Sequence, residues 1–320
     1  MKSLTIIVPV FNEEEVIPSF VAAVKGVISN LRHRYSFDFL FIDDGSTDNS
    51  VSLLSDQYPD GSARVLKLSR NFGKEAALAA GLDYATGDAV IIIDVDLQDP
   101  PELIEDFLTE WEKGYRVVYG VRAARETDSF LKRVSAGMFY RAFNSMSDIQ
   151  IPEHAGDFRL LDAEVVSALR QMPERARFTK GLYAWAGFQS IGIPYDRPNR
   201  KKGQTKWNYW RLWNLALDGI LSFSQRPLRL FTYSGIIISV ASLFYAANTV
   251  IKAIFLGIDT KGYASLMTAV TFLGGLQLLF FGVLGEYLGR IFLEVKQRPK
   301  YMVMQDIHLG KTRTGPEYDN

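Results

Sequence analysis

At 320 residues the chain can hold one large domain plus an appendage, or two ordinary domains. Its 36 basic and 36 acidic side chains cancel, so no global field points to nucleic acid. The absence of cysteine excludes disulfides, thiolate metal sites and cysteine nucleophiles, and His33, His154 and His308 lie too far apart for a histidine-rich zinc site.

The opening residues MKSLTIIVPV run straight into a strand pattern and do not read as a cleaved signal peptide. Short runs rich in Val, Ile and Leu predict strands over 4–10, 37–43, 63–69, 89–94 and 115–121. Helical patterns separate them, around 14–32, 47–56, 74–85 and 101–113. This alternation predicts an α/β domain with a mostly parallel sheet and helices on both faces. Ligands of such sheets collect beyond the carboxyl ends of the strands. Polar residues gather there: Asn12 and Glu13, Asp43 and Asp44, Arg70 and Asn71, then Asp94 and Asp96.

The fourth strand ends abruptly, in VIIIDVDLQD. In extended backbone Asp94, Asp96 and Gln98 would project to one side. Packed carboxylates repel unless a cation lies between them, and an oxygen-only set suits Mg²⁺ or Mn²⁺ completed by diphosphate and water. Asp99-Pro100-Pro101-Glu102 reads as a helix start with Asp99 as its cap. There is no G-x-G-x-x-G after the first strand and no G-x-x-x-x-G-K-[ST] anywhere, which argues against a dinucleotide-binding Rossmann domain and a P-loop NTPase.

Further along, apolar residues recur at three or four over 130–146 and 206–222, interleaved with basic residues in the first and with Trp207, Trp210 and Trp213 in the second. Such faces suit helices lying in a membrane interface, with packing against the sheet as the alternative. Leu230–Ile251 and Gly262–Gly285 are free of charge for 22 and 24 residues. Each exceeds the roughly 20 residues a membrane-spanning helix needs, so a hairpin with spans near 230–252 and 262–286 is expected. Arg226 and Arg229 precede it and Arg290, Lys296, Arg298 and Lys300 follow it, which places both flanks in the cytoplasm. The expected division is a cytoplasmic domain over 1–225, a hairpin over 228–291 and a cytoplasmic tail over 292–320. Gly274, Gly275, Gly282, Gly285 and Gly289 suit close helix approach within the hairpin or between copies, and Glu286 and Arg290, one turn apart, are expected to pair.

VPVFNEE, FIDDGSTDNS, LSRNFGKEAALAAGL and DVDLQDPPE together resemble an inverting family 2 glycosyltransferase of the GT-A fold. GDFRL, GQTKWNYWRLWN and GEYLGRIFLEVKQRPKY resemble its polyprenyl-phosphate branch, the bactoprenol glucosyltransferases more than the dolichol-phosphate mannosyltransferases. The resemblance spans about residues 3–303 and leaves about 304–320 as a polar tail. It implies a nucleotide-sugar donor, UDP-glucose or alternatively GDP-mannose, and a polyprenyl-phosphate acceptor at the inner membrane. Pro9, Phe11, Glu13, Asp44, Arg70 and Asp94 match donor-side positions, with Asp44 suited to accept a base N–H. Asp43 is either a further donor contact or a turn acceptor for Gly45-Ser46. Asp94, Asp96 and Gln98 match the metal and diphosphate motif, and a homo-oligomer is expected on the same ground.

Asp157 in GDFRL matches the family's catalytic carboxylate, with Asp96 beside it at the reacting diphosphate. A sugar hydroxyl acceptor would need a general base. A phosphate monoester has a second pKa of about 6 and is already largely dianionic at neutral pH. Its oxygen attacks the anomeric carbon unaided, so Asp157 is read as a positioning group, with base chemistry secondary. Arg122, Arg133, Arg200 and Lys206 match the acceptor-phosphate countercharge, the alternative for each being a solvated or headgroup-binding cation. A processive polysaccharide synthase would carry Q-x-x-R-W and more spans, and a nucleotidyltransferase would need neither GDFRL nor the anchor.

Overall fold

The computed structural model describes residues 1–122, most of 152–196, scattered positions between 228 and 255, and 262–310. Four strands run parallel: β1 (Lys2–Val10), β2 (Tyr35–Asp43), β3 (Ala63–Leu68) and β4 (Ala89–Ile92). Helices α1 (Ile17–Leu31), α2 (Ser50–Gln57) and α3 (Lys74–Tyr84) fill the crossovers. Then follow α4 (Leu103–Glu112), β5 (Val117–Arg122), β6 (Ala155–Asp162), α5 (Ala163–Arg170), α6 (Thr179–Trp185) and β7 (Ser190–Tyr195). A long helix, α7 (Tyr263–Val295), precedes a last strand, β8 (Val303–His308).

The eight strands form one sheet in the order β7-β5-β6-β4-β1-β2-β3-β8. Only β6 and β8 run against the other six. Side chains alternate across the sheet, so each strand feeds two cores. Ile6, Val8, Phe39 and Phe41 pack with α1 and α4 through Phe20, Val24 and Phe107. Ile7, Leu40 and Ile42 face the other way, against Leu78 and Leu82 of α3 and Leu169 of α5. Each such fully buried apolar side chain contributes about 1.5–3 kcal/mol relative to exposure. Two cores of this size hold the strand ends in fixed register, which the site requires.

The expected strands and crossover helices up to β5 are present within a few residues of their expected bounds. The expected polar tail differs: Val303–His308 adds to the β3 edge as an antiparallel strand. Arg64 clamps it through both guanidinium arms on Asp306, Nε at 2.6 Å. Its alternation is weak, with only Val303 and Ile307 turned towards the two cores, so the segment carries little strand signal of its own.

The stretches 130–146 and 206–222 lie outside the described residues, as do Arg133, Arg200 and Lys206. Among the described residues no helix is long and apolar enough to cross a membrane. Helix α7 nevertheless leaves many large apolar side chains exposed, Phe272, Leu278, Phe281, Leu288 and Ile291 among them. Phe231, from the first charge-free run, packs its ring on Phe280 of α7 with centroids 4.6 Å apart.

Candidate active site

The carboxyl ends of β1 and β2 carry two loops that hydrogen-bond to each other. Asn12 accepts from the Thr47 amide at 2.9 Å, and its own amide donates to the Ser46 hydroxyl at 3.0 Å. The Glu13 amide donates to the Ser50 hydroxyl at 3.0 Å, and Glu14 accepts from the Asn49 amide at 3.1 Å. Asn12 takes the left-handed region at φ 53°, where asparagine is among the tolerated residues. Pro9 is half-buried below these loops and Phe11 is exposed on them.

Asp43 is the turn acceptor: its Oδ1 takes the Ser46 amide at 3.1 Å. Its Oδ2 is buried with no hydrogen-bond partner among the described residues. Asp44 spans the next gap in the sheet. Its two oxygens accept the backbone amides of Phe72 at 2.7 Å and Gly73 at 2.9 Å. Burial raises its pKa despite those amides. Asp44 therefore fixes the β3–α3 turn, and a base N–H would have to share an oxygen already engaged. The approach of the two turns is close enough to demand glycine: a Cβ on Gly45, at φ 74°, would lie 2.5 Å from the Arg70 carbonyl carbon. Arg70 itself is exposed, its Nη1 donating to the Asn71 carbonyl at 2.9 Å and its guanidinium 4.1 Å from the Phe72 ring centroid.

The acidic motif departs from the extended reading. Strand β4 ends at Ile92, and Asp94, Asp96 and Gln98 lie in a turn with Leu97 at φ 54°. Asp96 Oδ1 accepts the Gln98 amide at 3.1 Å, the pattern of an Asx-turn. Strict alternation is thus lost, because the sheet's last pair is Ile92↔Arg159. Asp99 is not the helix cap either. It is buried, accepts the Tyr195 hydroxyl and lies 3.8 Å from Arg122, so it ties the acidic turn to β5 and β7. The N-cap of α4 is Glu102, with no side-chain capping bond.

Asp157 reaches the same edge because β6 runs backwards. The ladder pairs Ala89↔Asp162 through Ile92↔Arg159, and just past its end Asp94 and Asp157 come within reach of one side chain. Two carboxylates so close disfavour each other's charged form unless a cation stands between them. Lys74, the first residue of α3, stands between them, its Nζ 2.7 Å from Asp94 Oδ2 and 2.6 Å from Asp157 Oδ2. Lys180, from α6, adds a second ammonium at 3.4 Å from Asp157 Oδ1 and donates to the Ala155 carbonyl at 3.0 Å.

The charges divide unevenly. Burial alone would raise Asp157, but Lys180 and Lys74 outweigh it and hold the carboxyl well below the usual range. Asp94, with one ammonium, is pushed upward by burial. Lys74 is raised despite its own desolvation, because two carboxylates face it. Neither lysine was singled out in the sequence; the available signal was a cation on the first turn of a helix, where the macrodipole disfavours it.

A divalent cation fits this rim only as an open site. The donors are carboxylate and amide oxygens, and an ammonium already stands as a cation between two of them. Among the described residues no group of three or more His, Cys, Asp or Glu is arranged to hold a metal. The remaining ligands would have to be phosphate oxygens and water, the usual arrangement for Mg²⁺.

The sheet thus gathers acidic side chains at its carboxyl edge, with a reversed strand delivering one more. Residues 5–170 match the family described as Glycosyl transferase family 2, and the chain belongs to that family; it is a glycosyltransferase of the GT-A fold. Residues 226–291 match the GtrB C-terminal hairpin. An uncharacterized glycosyltransferase of Synechocystis is 50% identical over 301 residues, covering 94% of each chain. The prophage-derived bactoprenol glucosyl transferase of Shigella flexneri is 46% identical, covering 96% of this chain and 99% of that one. A prophage bactoprenol glucosyl transferase homolog of Escherichia coli is 45% identical, covering 94% and 98%.

Proposed function

We propose that this enzyme transfers glucose, with inversion, from UDP-glucose to polyprenyl phosphate on the cytoplasmic leaflet of the inner membrane. The observation that carries the reading is likeness at 46% identity to a bactoprenol glucosyl transferase over nearly the whole of both chains. A shared catalytic domain alone would leave the acceptor open. The match to a C-terminal hairpin at 226–291, over two charge-free runs flanked by basic residues, supports a lipid acceptor and a membrane anchor. The exposed apolar side chains of α7 support it too, since water-facing helices rarely leave so many uncovered.

The reaction then needs no proton removed. An oxygen of the lipid phosphate dianion forms the new bond to the anomeric carbon. The bond from that carbon to the diphosphate breaks, and its electron pair leaves with UDP. Asp157, kept ionised by two ammoniums, orients groups at the face of attack rather than abstracting a proton. Arg122, held at the edge of β5 by Tyr195, supplies fixed positive charge for the acceptor, with Arg133, Arg200 and Lys206 assigned the same task on resemblance. Asp94, Asp96 and Gln98 would hold Mg²⁺ or Mn²⁺, which when bound neutralises charge on the leaving diphosphate.

The test is to incubate the purified full-length protein with polyprenyl phosphate and a series of labelled UDP- and GDP-sugars. Label from UDP-glucose is expected in a mild-acid-labile lipid. Label from GDP-mannose alone would replace the donor reading, and label in a growing polymer would replace the acceptor reading with a polysaccharide synthase.

A further inference from the structure

We propose that Lys74 is the site's resident counter-cation: its ammonium holds Asp94 against Asp157 in the free enzyme and yields Asp94 when a divalent cation arrives with the donor. The inference rests on reading Asp94 as a metal-side ligand.

Three independent observations lead to it. First, Asp94 and Asp157 lie within hydrogen-bond reach of one and the same ammonium at the carboxyl edge, just past the end of the β4–β6 ladder, and two carboxylates so placed repel without a cation between them. Lys74 supplies that cation at hydrogen-bond distance from both. Second, Lys74 is the first residue of α3 and follows a Gly73 N-cap without a side-chain cap. A cation there opposes the helix dipole, at a cost of about 0.3–1 kcal/mol. A local rule is broken where two carboxylates compensate it, which marks a functional position rather than a solvated face.

Third, the two lysines are not equivalent. Lys180 touches Asp157 alone of the pair and is anchored to the Ala155 carbonyl. Lys74 is the cation that bridges, and its side chain is 43% exposed against 29% for Lys180. Among the described residues, departure of Lys74 towards solvent or diphosphate therefore leaves Asp157 paired with Lys180 and takes from Asp94 its ion-pair partner. The arrangement releases one carboxylate and retains the other. It makes metal binding conditional on the donor, since a bare ion must displace an ammonium without the diphosphate ligands that would complete its shell.

The test is Mn²⁺ binding to the detergent-solubilised full-length protein, read from the spin-resonance signal of free Mn²⁺, with and without UDP. Without UDP, Lys74→Gln is expected to bind Mn²⁺ at least about tenfold more tightly than the native protein, a factor equivalent to about 1.4 kcal/mol. Adding Asp94→Asn to that variant should return binding to the native level, and Lys180→Gln should not tighten it. The metal-free Lys74→Gln protein should also melt below the native one and recover when Mn²⁺ is added. Lys74→Met serves the same comparison if the glutamine variant does not fold. Should Lys74→Gln and the native protein bind Mn²⁺ alike without UDP, and both bind with it, Lys74 guards nothing, although Asp94 keeps its metal. Failure of every form to bind Mn²⁺ even with UDP removes the metal reading and this proposal together.

Discussion

Glu75 accepts the Thr179 backbone amide at 3.0 Å and the Thr179 hydroxyl as well, joining the first turn of α3 to the first residue of α6. The residues beside this clasp are Lys74 and Lys180, the two ammoniums on Asp157. The clasp therefore sets their spacing. Glu75→Ala is expected to cost about 1–3 kcal/mol of stability through the lost bonds to Thr179. Its kcat should fall further than that of an equally destabilised core variant, because the first turn of α6, which carries Lys180, is no longer tied to α3. Glu75→Gln, which keeps one acceptor oxygen, should recover part of both losses. Thermal unfolding and steady-state kinetics on the same preparations separate the two effects; unchanged kcat in the alanine variant would reduce the clasp to packing.

Gly45 tests the meeting of the two donor-side turns. Alanine there takes a left-handed backbone and presses on Arg70 and Asn71 backbone atoms within 2.9 Å. Backbone strain of this kind costs of order 1–3 kcal/mol. The expected outcome is a lowered melting temperature and a raised KM for the nucleotide sugar, because relief requires the β3–α3 turn to move away from Asp44. A KM unchanged within error would separate that turn from the donor site.

Asp157 and Asp96 should differ in what their loss does. Asp157→Asn is expected to retain more activity than Asp96→Ala, which should lose about 10²–10³ in kcat as an electrostatic contact to the reacting diphosphate is removed. With Asp157 held well below the usual carboxylate range, it is ionised at every working pH and contributes no limb to the rate profile. The rate should instead rise with pH through the acceptor's second phosphate ionisation near about 6 and then stay level. A pH–rate series on both forms checks this. A new dependence above neutrality in Asp157→Asn would restore the general-base role.

Asp162 offers a stability counterpart away from the chemistry. It accepts the Trp111 indole at 2.7 Å, Arg116 at 2.8 Å and the Glu164 amide at 3.0 Å. Burial alone would raise its pKa, but these three partners lower it. A depressed carboxyl stabilises the fold above the ordinary aspartate pKa of about 4, and that contribution is lost as pH falls through the lower folded value. Asp162→Asn should thus cost about 1–3 kcal/mol at pH 7. The gap to the native protein should be the same at pH 5 and narrow only in stronger acid, as read by denaturant unfolding at each pH.

The parallel half of the fold was legible because β1 to β4 are buried on both faces and read as continuous apolar runs, while their polar termini marked the ligand edge. The convergence of Asp94 with Asp157 was legible only through the family resemblance, since it depends on β6 running backwards, and strand direction leaves no trace in the hydrophobic pattern of GDFRLLD. Asp99 looked like a cap because two prolines follow it, yet burial beside Tyr195 decided its role. Lys74 carries one local signal, a cation on the first turn of α3 against the helix dipole, but nothing in the sequence pattern names the carboxylates that compensate it.

β8 shows how a segment with weak local signal can still be needed. It covers the β3 edge, which would otherwise present unpaired amides and carbonyls from Arg64 to Leu68. Ile307 packs on one core and Val303 on the other, while Arg64 holds Asp306 from the edge. A chain ended after Lys300 should lose stability and gain a tendency to associate through the bared edge. Ile307→Asp should reproduce much of the loss, at about 2–4 kcal/mol, because it buries a charge where an apolar group packed. Met304→Lys, at a position 57% exposed, should cost little. Melting temperature and size-exclusion profiles of the three variants decide the matter: if the truncated chain is as stable and as monodisperse as the full one, the last strand merely rests on the sheet, and the edge of β3 is protected by something other than its own C-terminus.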